Sequence, residues 1–542
     1  MISGDIKKID LSISSFERMI TKSNLYVDKT RLIEHFLTTA SSVQLVARQR
    51  RLGKSLNMDM LRCFLTDKED LRHLFRGLYI ETSPVWAKIN SSPVFYFDFK
   101  GLQTDNYKRK IYDMICEHID NYCNIADLSR AARRYLKDDN FNDTDGLYYL
   151  TESVYKATGK RSYLLIDEYD KLLMDNYNAD MYEEIRAFKT ALFSAGLKGN
   201  HYLEKALITG VMRISHESMF SGLNNIVTFD VFNDDVYTND YGLTDEEVKS
   251  LNRLAAFDID EMRDWYNGVR IGGCAIYNIY SVMSYLAQKR FDSYWGKSGA
   301  MDIIVSLLND SRRAILARLM NGEQAVVSIA NKVSLRDLSG KTSDQAFYSL
   351  LVQAGYLSIS TTQALVSIPN TELMIVWKEF ILEKLYPDIP QIRTLFDNAD
   401  NLKSFSVDLE YFLCDRLSYH DLAVRKDEDA GRIQERLYHI FLLGILSAYD
   451  DVRFKYPQSN RESGDGRYDI LVEKSCGNFI FEFKASNSSE DLNEKAEEAL
   501  NQIEAKRYGA DLDIRKRLVK VGVAFHGKIC KVRCSENQSK KG

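Results

Sequence analysis

The residues best suited to chemistry in the first part of the chain are the Gly-Lys-Ser sequence at 53–55, which follows an apolar run and precedes a helical pattern. A phosphate-binding loop needs a tight glycine turn, a lysine that reaches the β- and γ-phosphates, and a hydroxyl for Mg²⁺. Gly53, Lys54 and Ser55 supply these groups and predict an ATP site. The loop departs from the usual pattern because Arg48 stands where the first glycine is expected.

The second half of this site is predicted by LLIDE (164–168), an apolar strand that ends in two acids. Asp167 is suited to holding Mg²⁺, and Glu168 to orienting or deprotonating an attacking water. We therefore expect ATP and Mg²⁺ as cofactors. Two alternatives stay open. In one, Lys54 is a surface helix residue and the two acids are a capping pair; in the other, the nucleotide is bound without rapid hydrolysis.

Further candidates for ATP binding are Arg50, Arg51, Thr209 and Arg213. Thr209 and Arg213 lie at a predicted strand end and are expected to sense the γ-phosphate, unless Arg213 is an ordinary salt-bridge partner. ATPases with such a site often hydrolyse at subunit interfaces, where any of the three arginines would serve in trans. The sequence therefore allows a homo-oligomer but does not establish one.

A second constellation lies in a predicted hairpin nearer the end of the chain. If the turn is centred between residues 476 and 477, Asp469 faces Lys484 and Leu471 faces Glu482. Side chains alternate along a strand, so Asp469, Glu482 and Lys484 would project from one face, whereas a one-residue slip would separate them. The alternative is that Glu482 and Lys484 merely pair with each other on an exposed edge strand.

Two carboxylates and one ammonium at one place predict metal-dependent hydrolysis of a phosphodiester. Asp469 and Glu482 are the predicted ligands of Mg²⁺, with Mn²⁺ as a substitute, because hard cations prefer oxygen. A neighbouring lysine would position the nucleophile or stabilise developing charge. Glu435, on a preceding helix, would complete the shell. Gln502 and Tyr508 are weaker candidates for positioning nucleic acid or the attacking water.

The elements that position these residues indicate an α/β fold. Four buried strands alternate with helices, which predicts a parallel sheet covered on both faces. From about residue 240 the strands disappear, and a later helix–strand–strand order resembles a winged helix that we expect to be a connector. A smaller α/β unit with its own core follows. We expect three domains, at 1–235, 236–404 and 405–535.

The bulk properties fit a folded protein of several domains. Of 542 residues, 45% are hydrophobic and 27% charged, and the formal net charge of −5 gives no overall signature of nucleic-acid binding. Basic residues dominate from Lys506 onwards, although such an end is more often solvated than bound to phosphate. The start lacks a signal-peptide core, and the longest apolar run (438–449) is too short to span a bilayer. We expect a cytoplasmic protein without a membrane partner.

The first half of the chain contains the motifs YVDKT (26–30), RQRRLGKSL (48–56), LIDEYD (165–170), TG (209–210), FSGLNN (220–225), WYNG (265–268) and YN (277–278). Together these motifs resemble those of the bacterial AAA-ATPase-like family. In that family arginine commonly replaces the first P-loop glycine, which fits Arg48. The resemblance implies a P-loop NTPase sheet, followed by the helical and winged-helix region.

The last part of the chain is similar to the PD-(D/E)XK nuclease domain that usually accompanies this family. The positions carried over are Glu435, Asp469, Glu482 and Lys484, while Gln502 and Tyr508 match a helix signature of such domains. This resemblance implies a restriction-endonuclease-like α/β domain. Together the two resemblances cover about residues 10 to 525.

The leading hypothesis is an ATP-controlled, Mg²⁺-dependent endonuclease, with DNA favoured over RNA as its substrate. A competing hypothesis is a nucleotide-gated switch or scaffold whose nuclease-like domain binds nucleic acid or a partner protein without cleaving. A plain ATPase with a basic tail is a third option, but it leaves the arrangement of Asp469, Glu482 and Lys484 unexplained.

Overall fold

A computed structural model divides the chain into two compact units, Met1–Leu308 with Gln324–Met374, and Asn309–Glu323 with Ile375–Gly542. The described residues are 2–5, 7–177, 179–212, 225–295, 304, 306–320, 322–330, 343–360, 365–377, 395–396, 399–416, 458–459, 462–474, 477–486, 488–510, 512, 516–527 and 529–536. Arg213, Glu435 and the predicted helix at 432–448 lie outside them. Among the described residues, no helix is long and apolar enough to cross a membrane.

The helices are α1 (Phe16–Thr21), α2 (Arg31–Thr38), α3 (Lys54–Leu65), α4 (Tyr107–Tyr122), α5 (Arg130–Lys137), α6 (Gly146–Thr158), α7 (Lys171–Asp175), α8 (Tyr182–Leu197), α9 (Asp245–Ala255), α10 (Ile259–Tyr266), α11 (Ile279–Gln288), α12 (Asp310–Met320), α13 (Asp344–Ala354), α14 (Leu402–Arg416) and α15 (Leu492–Ala505). The strands are β1 (Ile2–Ser3), β2 (Tyr26–Val27), β3 (Val43–Ala47), β4 (Val94–Asp98), β5 (Ser162–Asp167), β6 (Leu203–Gly210), β7 (Ile226–Phe229), β8 (Val269–Ile271), β9 (Cys274–Ile276), β10 (Ala325–Val326), β11 (Ser358–Ile359), β12 (Leu365–Ser367), β13 (Gln458–Ser459), β14 (Glu462–Ser463), β15 (Gly466–Arg467), β16 (Ile470–Lys474), β17 (Gly477–Ala485), β18 (Leu518–His526) and β19 (Ile529–Glu536).

The first unit is built on a five-stranded parallel sheet with the strand order β4-β5-β6-β3-β7. β3 and β5 are buried along their whole length, as expected for strands covered by helices on both faces. This confirms the predicted α/β fold. The four predicted strands correspond to β3, β4, β5 and β6. The sequence pattern does not predict β7, because that strand is short and its first half is not buried.

The strand order decides which residues meet at one edge of the sheet. β6 lies between β3, which leads into the phosphate-binding loop, and β5, which ends at Asp167. In the parallel register Val46 pairs with Thr209 and Ile166 with Ile208. The carboxyl ends of the three strands are therefore level. Thr209 lies between the phosphate-binding loop and the turn at residues 167–170 that follows β5, which we call the acidic turn.

The rest of the first unit is largely helical, and its described residues include three small antiparallel elements: β1 with β2, β8 with β9, and β10-β12-β11. β8 and β9 form a hairpin, so the prediction that strands disappear after about residue 240 is wrong here. Strands of three residues carry too short an alternation to be distinguished from helical periodicity. α13, β11 and β12 follow the predicted helix–strand–strand order, and β10 pairs with the outer side of β12. The division into three domains stays a prediction.

The second unit contains a five-stranded mixed sheet with the order β13-β16-β17-β18-β19. β17 and β18 are parallel and are joined through α15, while the remaining neighbours are antiparallel. One face of the sheet packs with α14 into an apolar core that includes Phe396, Phe405, Phe479 and Phe481. The fold of this unit is therefore α/β, as predicted.

The basic end of the chain is not simply solvated, because part of it forms β19. Four of its cations pair with acids of the same unit: Arg507 with Asp465, Arg517 with Glu536, Lys520 with Glu504, and Lys531 with Glu410. These pairs leave less positive charge for phosphates than the composition indicates.

The hairpin of β16 and β17 has a different register from the predicted one. Leu471 pairs with Ile480 rather than with Glu482, and the last pair before the turn is Lys474 with Gly477. The predicted pairing is therefore wrong by two residues. The physical reason is that the strands continue further and leave only residues 475 and 476 between them, the length of the commonest hairpin loop.

The predicted pairing of Asp469 with Lys484 fails for the same reason. A shift by an even number of residues, however, preserves the alternation of side chains between the two faces. Glu482 and Lys484 share a face of β17 in any register, and the even shift keeps the predicted side for Asp469, which directly precedes β16. The Asp469 carboxylate accepts a hydrogen bond from the Phe483 N–H at 2.8 Å.

Candidate functional site

The phosphate-binding loop is shaped by Gly53 at the start of α3. Gly53 has a left-handed backbone (φ 90°), and an added Cβ would meet nothing within 4 Å, so its conformation rather than crowding calls for glycine. Lys54 is 7% exposed, and its Nζ donates to the backbone oxygens of Arg48 and Gln49, both at 2.9 Å. Burial lowers the pKa of Lys54, and the carboxylates of Asp167 and Glu168 oppose this shift.

The Asp167 carboxylate, at the end of β5, accepts hydrogen bonds from three hydroxyl groups. Ser55 Oγ donates to Asp167 Oδ2 at 2.6 Å, Thr209 Oγ1 donates to Oδ1, and Tyr96 OH donates to Oδ2 at 3.4 Å. The carboxylate is 1% exposed. The structure thus brings together Lys54, Ser55, Asp167 and Thr209, as the sequence predicts, and adds Tyr96 from β4.

Glu168 directly follows Asp167 in a left-handed backbone conformation (φ 51°). Such a conformation is unusual for a residue with a side chain and is typical of functional sites. Partial burial raises the pKa of Glu168; Lys54 lowers it, and the neighbouring Asp167 raises it further. Glu168 lines the same cavity as Lys54 and Ser55.

The three arginines of the loop have different surroundings. Arg48 is fully buried and forms an ion pair with Asp234, so its side chain is part of the core. Arg50 and Arg51 line the cavity. Arg51 also donates to the Tyr294 backbone oxygen at 2.5 Å and lies over the Tyr280 ring at 4.0 Å. Arg48 therefore does not occupy the place of a phosphate-contacting residue.

A cavity of about 470 Å³ opens beside the loop. Its polar lining includes Arg50, Arg51, Lys54, Ser55 and Glu168. Its apolar lining includes Ile9, Leu11, Ile13, Met19, Ile279 and Met283. A cavity lined by both cationic and apolar side chains, all within the first unit, suits a ligand that combines phosphate with an apolar group.

The second unit has a polar cluster on β17 and α15. Gln502 Nε2 donates to Glu482 Oε1, and Gln502 Oε1 accepts from Lys484 Nζ at 2.5 Å. Lys484 Nζ lies 3.9 Å from Glu482 Oε1, and Tyr508 OH lies 3.5 Å from Gln502 Nε2. The structure brings these four predicted residues together. Gln502 is more central than the sequence indicates, because its amide bridges the acid and the amine.

The Asp469 carboxylate accepts a hydrogen bond from the N–H of Phe483, the residue between Glu482 and Lys484 on β17. Burial raises the pKa of Asp469, whereas the hydrogen bond from Phe483 and the charge of Lys484 lower it. Glu482 is 4% exposed. Glu482 on β17 and Asp469, which directly precedes the neighbouring β16, are shielded carboxylates near the Lys484 ammonium. Their oxygens are hard donors of the kind that a divalent cation prefers.

Comparison with known proteins agrees with the geometry of both units. Residues 10–220 match the family described as predicted AAA-ATPase, and residues 433–535 match the PD-(D/E)XK nuclease superfamily. The chain joins an AAA-ATPase-like domain to a PD-(D/E)XK nuclease-superfamily domain. Both resemblances inferred from the motifs are thereby confirmed.

Two further comparisons concern most of the chain. An uncharacterized protein in the vnfD 5′ region of Azotobacter chroococcum mcd 1 is 26% identical over 522 residues, which cover 93% of each chain. A Walker-type ATPase of Pyrococcus abyssi, a solved structure, is 14% identical with a TM-score of 0.33 and covers 65% of this chain and 94% of its own. That TM-score is too low to support an inference.

Within the AAA-ATPase-like domain, the sequence analysis missed residues that fix the acidic turn. Tyr169 and Asp170 follow Glu168 and are buried, and Lys189 on α8 donates to the Tyr169 backbone oxygen at 2.8 Å. Asp170 could have been identified as a candidate from the sequence, since it is the third acid of LIDEYD. Lys189 could not, because nothing in a helix sequence distinguishes a lysine that points inward from the exposed ones.

Proposed function

We propose that the AAA-ATPase-like domain binds ATP with Mg²⁺ and hydrolyses it. The observation that carries this proposal is the meeting of Lys54, Ser55, Asp167 and Glu168 beside a cavity of about 470 Å³. The volume lies in the range of small-molecule sites, which is about 300–1,000 Å³. The cationic lining residues would bind the polyphosphate, and the apolar lining residues would contact the purine.

The phosphate subsite would be the first turn of α3. The free N–H groups and the positive end of this helix favour an anion, and Lys54 adds a formal charge. Arg50 and Arg51 contribute two further cations to the same cavity. Thr209, whose hydroxyl donates to Asp167, would sense the phosphate end of the nucleotide. The role of Arg213 as a second sensor stays a prediction from the sequence.

Ser55 and Asp167 would hold Mg²⁺. Their oxygens lie 2.6 Å apart, and a hydroxyl beside a carboxylate is a set of hard donors that fits this ion. The ion would neutralise phosphate charge. Glu168 would orient the attacking water and accept its proton, and the raised pKa of Glu168 brings its basicity closer to neutral pH.

For the second unit, we propose cleavage of a phosphodiester bond in nucleic acid, with DNA favoured over RNA. Asp469 and Glu482 would hold Mg²⁺ or Mn²⁺, which would supply an activated water and positive charge. Lys484 would position the attacking water, and Gln502 would hold the ammonium of Lys484 in place. Tyr508 and Glu435 keep their predicted roles in positioning the nucleic acid and in completing the acidic set.

The nucleotide state of the first unit would regulate cleavage by the second. A second candidate function is a switch or scaffold that binds nucleic acid or a partner protein without cleaving. The observation that favours it is that, among the described residues, no three His, Cys, Asp or Glu side chains lie together as a metal site.

The test of the first proposal is ATP binding and hydrolysis by the full chain. Lys54→Ala should weaken ATP binding by at least about 10-fold, because it removes a charge-assisted contact with phosphate. Glu168→Gln should bind ATP as wild type does and hydrolyse it about 100-fold more slowly. Lys156→Ala, an exposed cation on α6 that pairs with Glu152, is the matched control. Wild-type hydrolysis in Glu168→Gln would overturn the assignment of the base.

The test of the second proposal uses labelled DNA and RNA with Mg²⁺ or Mn²⁺. Glu482→Gln should abolish cleavage and leave ATP binding unchanged. Glu504→Gln, an exposed acid of the same unit that pairs with Lys520, should cleave like wild type. Binding without cleavage in every condition would favour the scaffold.

A further inference from the structure

The turn that follows Glu168 is tied to the chain beyond β6 by a set of buried hydrogen bonds. Asp170 Oδ2 accepts from the N–H groups of Val211 at 2.9 Å and Met212 at 2.7 Å. Tyr169 OH donates to the Met212 backbone oxygen at 2.8 Å, and Tyr169 N–H donates to the Thr209 backbone oxygen at 3.0 Å. Four hydrogen bonds thus connect two residues after Glu168 to residues 209–212.

Gly210 permits this close approach. A Cβ added to Gly210 would lie 2.6 Å from Asp170 Oδ1 and 2.6 Å from a ring carbon of Tyr169. A side chain at this position would therefore push the acidic turn away from the end of β6. The acidic turn and the end of β6 therefore pack directly against each other at Gly210.

Lys189 holds the same turn from the other side. Its side chain is fully buried on α8, and its Nζ donates to the Tyr169 backbone oxygen at 2.8 Å and lies 4.9 Å from the Phe99 ring centroid. Burial lowers the pKa of Lys189 to about 7, against the attraction of Asp170. Burial of two ionisable groups, Lys189 and Asp170, at one peptide turn is costly, and a stable fold does not require it.

We propose that Tyr169, Asp170 and Lys189 form a latch whose role is to position the Glu168 carboxylate and the Thr209 hydroxyl around Asp167. The three are positioning residues, since none of them lines the cavity. The latch also joins the hydrolytic turn to Met212, the residue that precedes the predicted sensor Arg213. This inference rests on the proposed ATPase function, because the positioning matters for hydrolysis of bound ATP.

The test measures ATP affinity and turnover separately in Asp170→Asn and Lys189→Met. Both variants keep the size of the side chain. We expect the dissociation constant for ATP to stay within about threefold of wild type, since Lys54 and α3 are untouched, and kcat to fall by about 10–100-fold, the cost of a misplaced catalytic group. Equal losses of affinity and turnover would indicate a merely structural role and overturn the proposal.

Lys205→Met is the matched control. Lys205 lies on β6 and also donates to backbone oxygens, those of Phe36 and Thr39, but at the end of the strand remote from Gly210. We expect its kcat and its ATP affinity to equal those of wild type. A loss of turnover in Lys205→Met as large as that in Lys189→Met would also overturn the latch.

Hydrogen exchange separates failure of the latch from failure of the proposed ATPase function. In Asp170→Asn and Lys189→Met, amides of the acidic turn and of residues 209–212 should lose protection together, whether or not ATP is hydrolysed. Loss confined to the turn would refute the latch. If both segments open together but the wild-type protein hydrolyses no ATP, the proposed function fails and the positioning role falls with it, while the mechanical link stands.

Discussion

Arg48 provides the sharpest test of how the unusual phosphate-binding loop works. If this arginine merely replaced a glycine of an ordinary loop, Arg48→Gly would restore the common pattern and improve ATP binding. The structure predicts the opposite. Arg48 is fully buried, pairs with Asp234, donates to the backbone oxygen of Phe229 at 3.1 Å, and lies 5.2 Å from the Tyr241 ring centroid.

The size of the effect follows from the buried ion pair. Removal of one partner leaves an uncompensated buried charge and typically costs about 3–5 kcal/mol. For a unit of about 360 residues, the entropy of unfolding converts this loss into a fall of roughly 4–7 °C in Tm. Arg48→Gly and Arg48→Met should both show it, because each leaves the Asp234 carboxylate without its cation.

A double-mutant cycle separates this charge effect from lost packing. In Arg48→Met with Asp234→Asn, no charge is left uncompensated, and the asparagine oxygen still accepts from the Val236 and Tyr237 N–H groups. We expect the double variant to recover at least half of the lost stability. Thermal unfolding and ATP titration are the assays. An Arg48→Gly protein as stable as wild type, with tighter ATP binding, would refute the structural role of Arg48.

Three further predictions concern single residues. Gln502→Ala should reduce the rate of cleavage of labelled DNA by about 10–100-fold, because the amide that holds the Lys484 ammonium is lost. An unchanged rate would show that Gln502 is not part of the nuclease site. Glu372 accepts from Ser281 Oγ and two backbone N–H groups, and burial raises its pKa from 4.5 to about 7. Because the pKa of Glu372 is higher in the folded than in the unfolded protein, about 3 kcal/mol of stability that is present below about pH 4.5 is lost by about pH 7. Chemical unfolding of Glu372→Gln at several pH values should lack this loss. The same pH dependence of stability in Glu372→Gln and wild type would contradict the raised pKa of Glu372. Gly210→Ala should lower Tm and kcat together, because its Cβ would displace the acidic turn, and wild-type values for both would show that the turn adapts freely.

The sheet of the first unit could be predicted because its strands are long and apolar. β3, β5 and β6 each carry at least four buried residues in a row and therefore leave a clear pattern. β7 is short and half exposed, and its pairing with β3 joins residues that are distant in sequence. β8 and β9 have three residues each, too few for a clear alternation, although the Gly272-Gly273 turn between them is a hairpin signal that could have located them.

The candidate sites show the same limits. Glu482 and Lys484 share a face of β17 in any register, because they are two residues apart on one strand. The predicted side for Asp469 survived the wrong register because the error was an even number of residues. The inward direction of Arg48 could not be predicted, since it depends on Asp234, nearly two hundred residues away in sequence. The bridging role of Gln502 likewise depends on how α15 packs against β17.

The central claim is that ATP bound in the first unit controls cleavage by the second. The most direct measurement is cleavage of supercoiled plasmid with Mg²⁺, with and without ATP, by wild type, Lys54→Ala and Glu482→Gln. We predict that ATP changes the cleavage rate of wild type, that Lys54→Ala cleaves at a rate independent of ATP, and that Glu482→Gln does not cleave. Equal ATP dependence in wild type and Lys54→Ala, or cleavage by Glu482→Gln, would contradict the account.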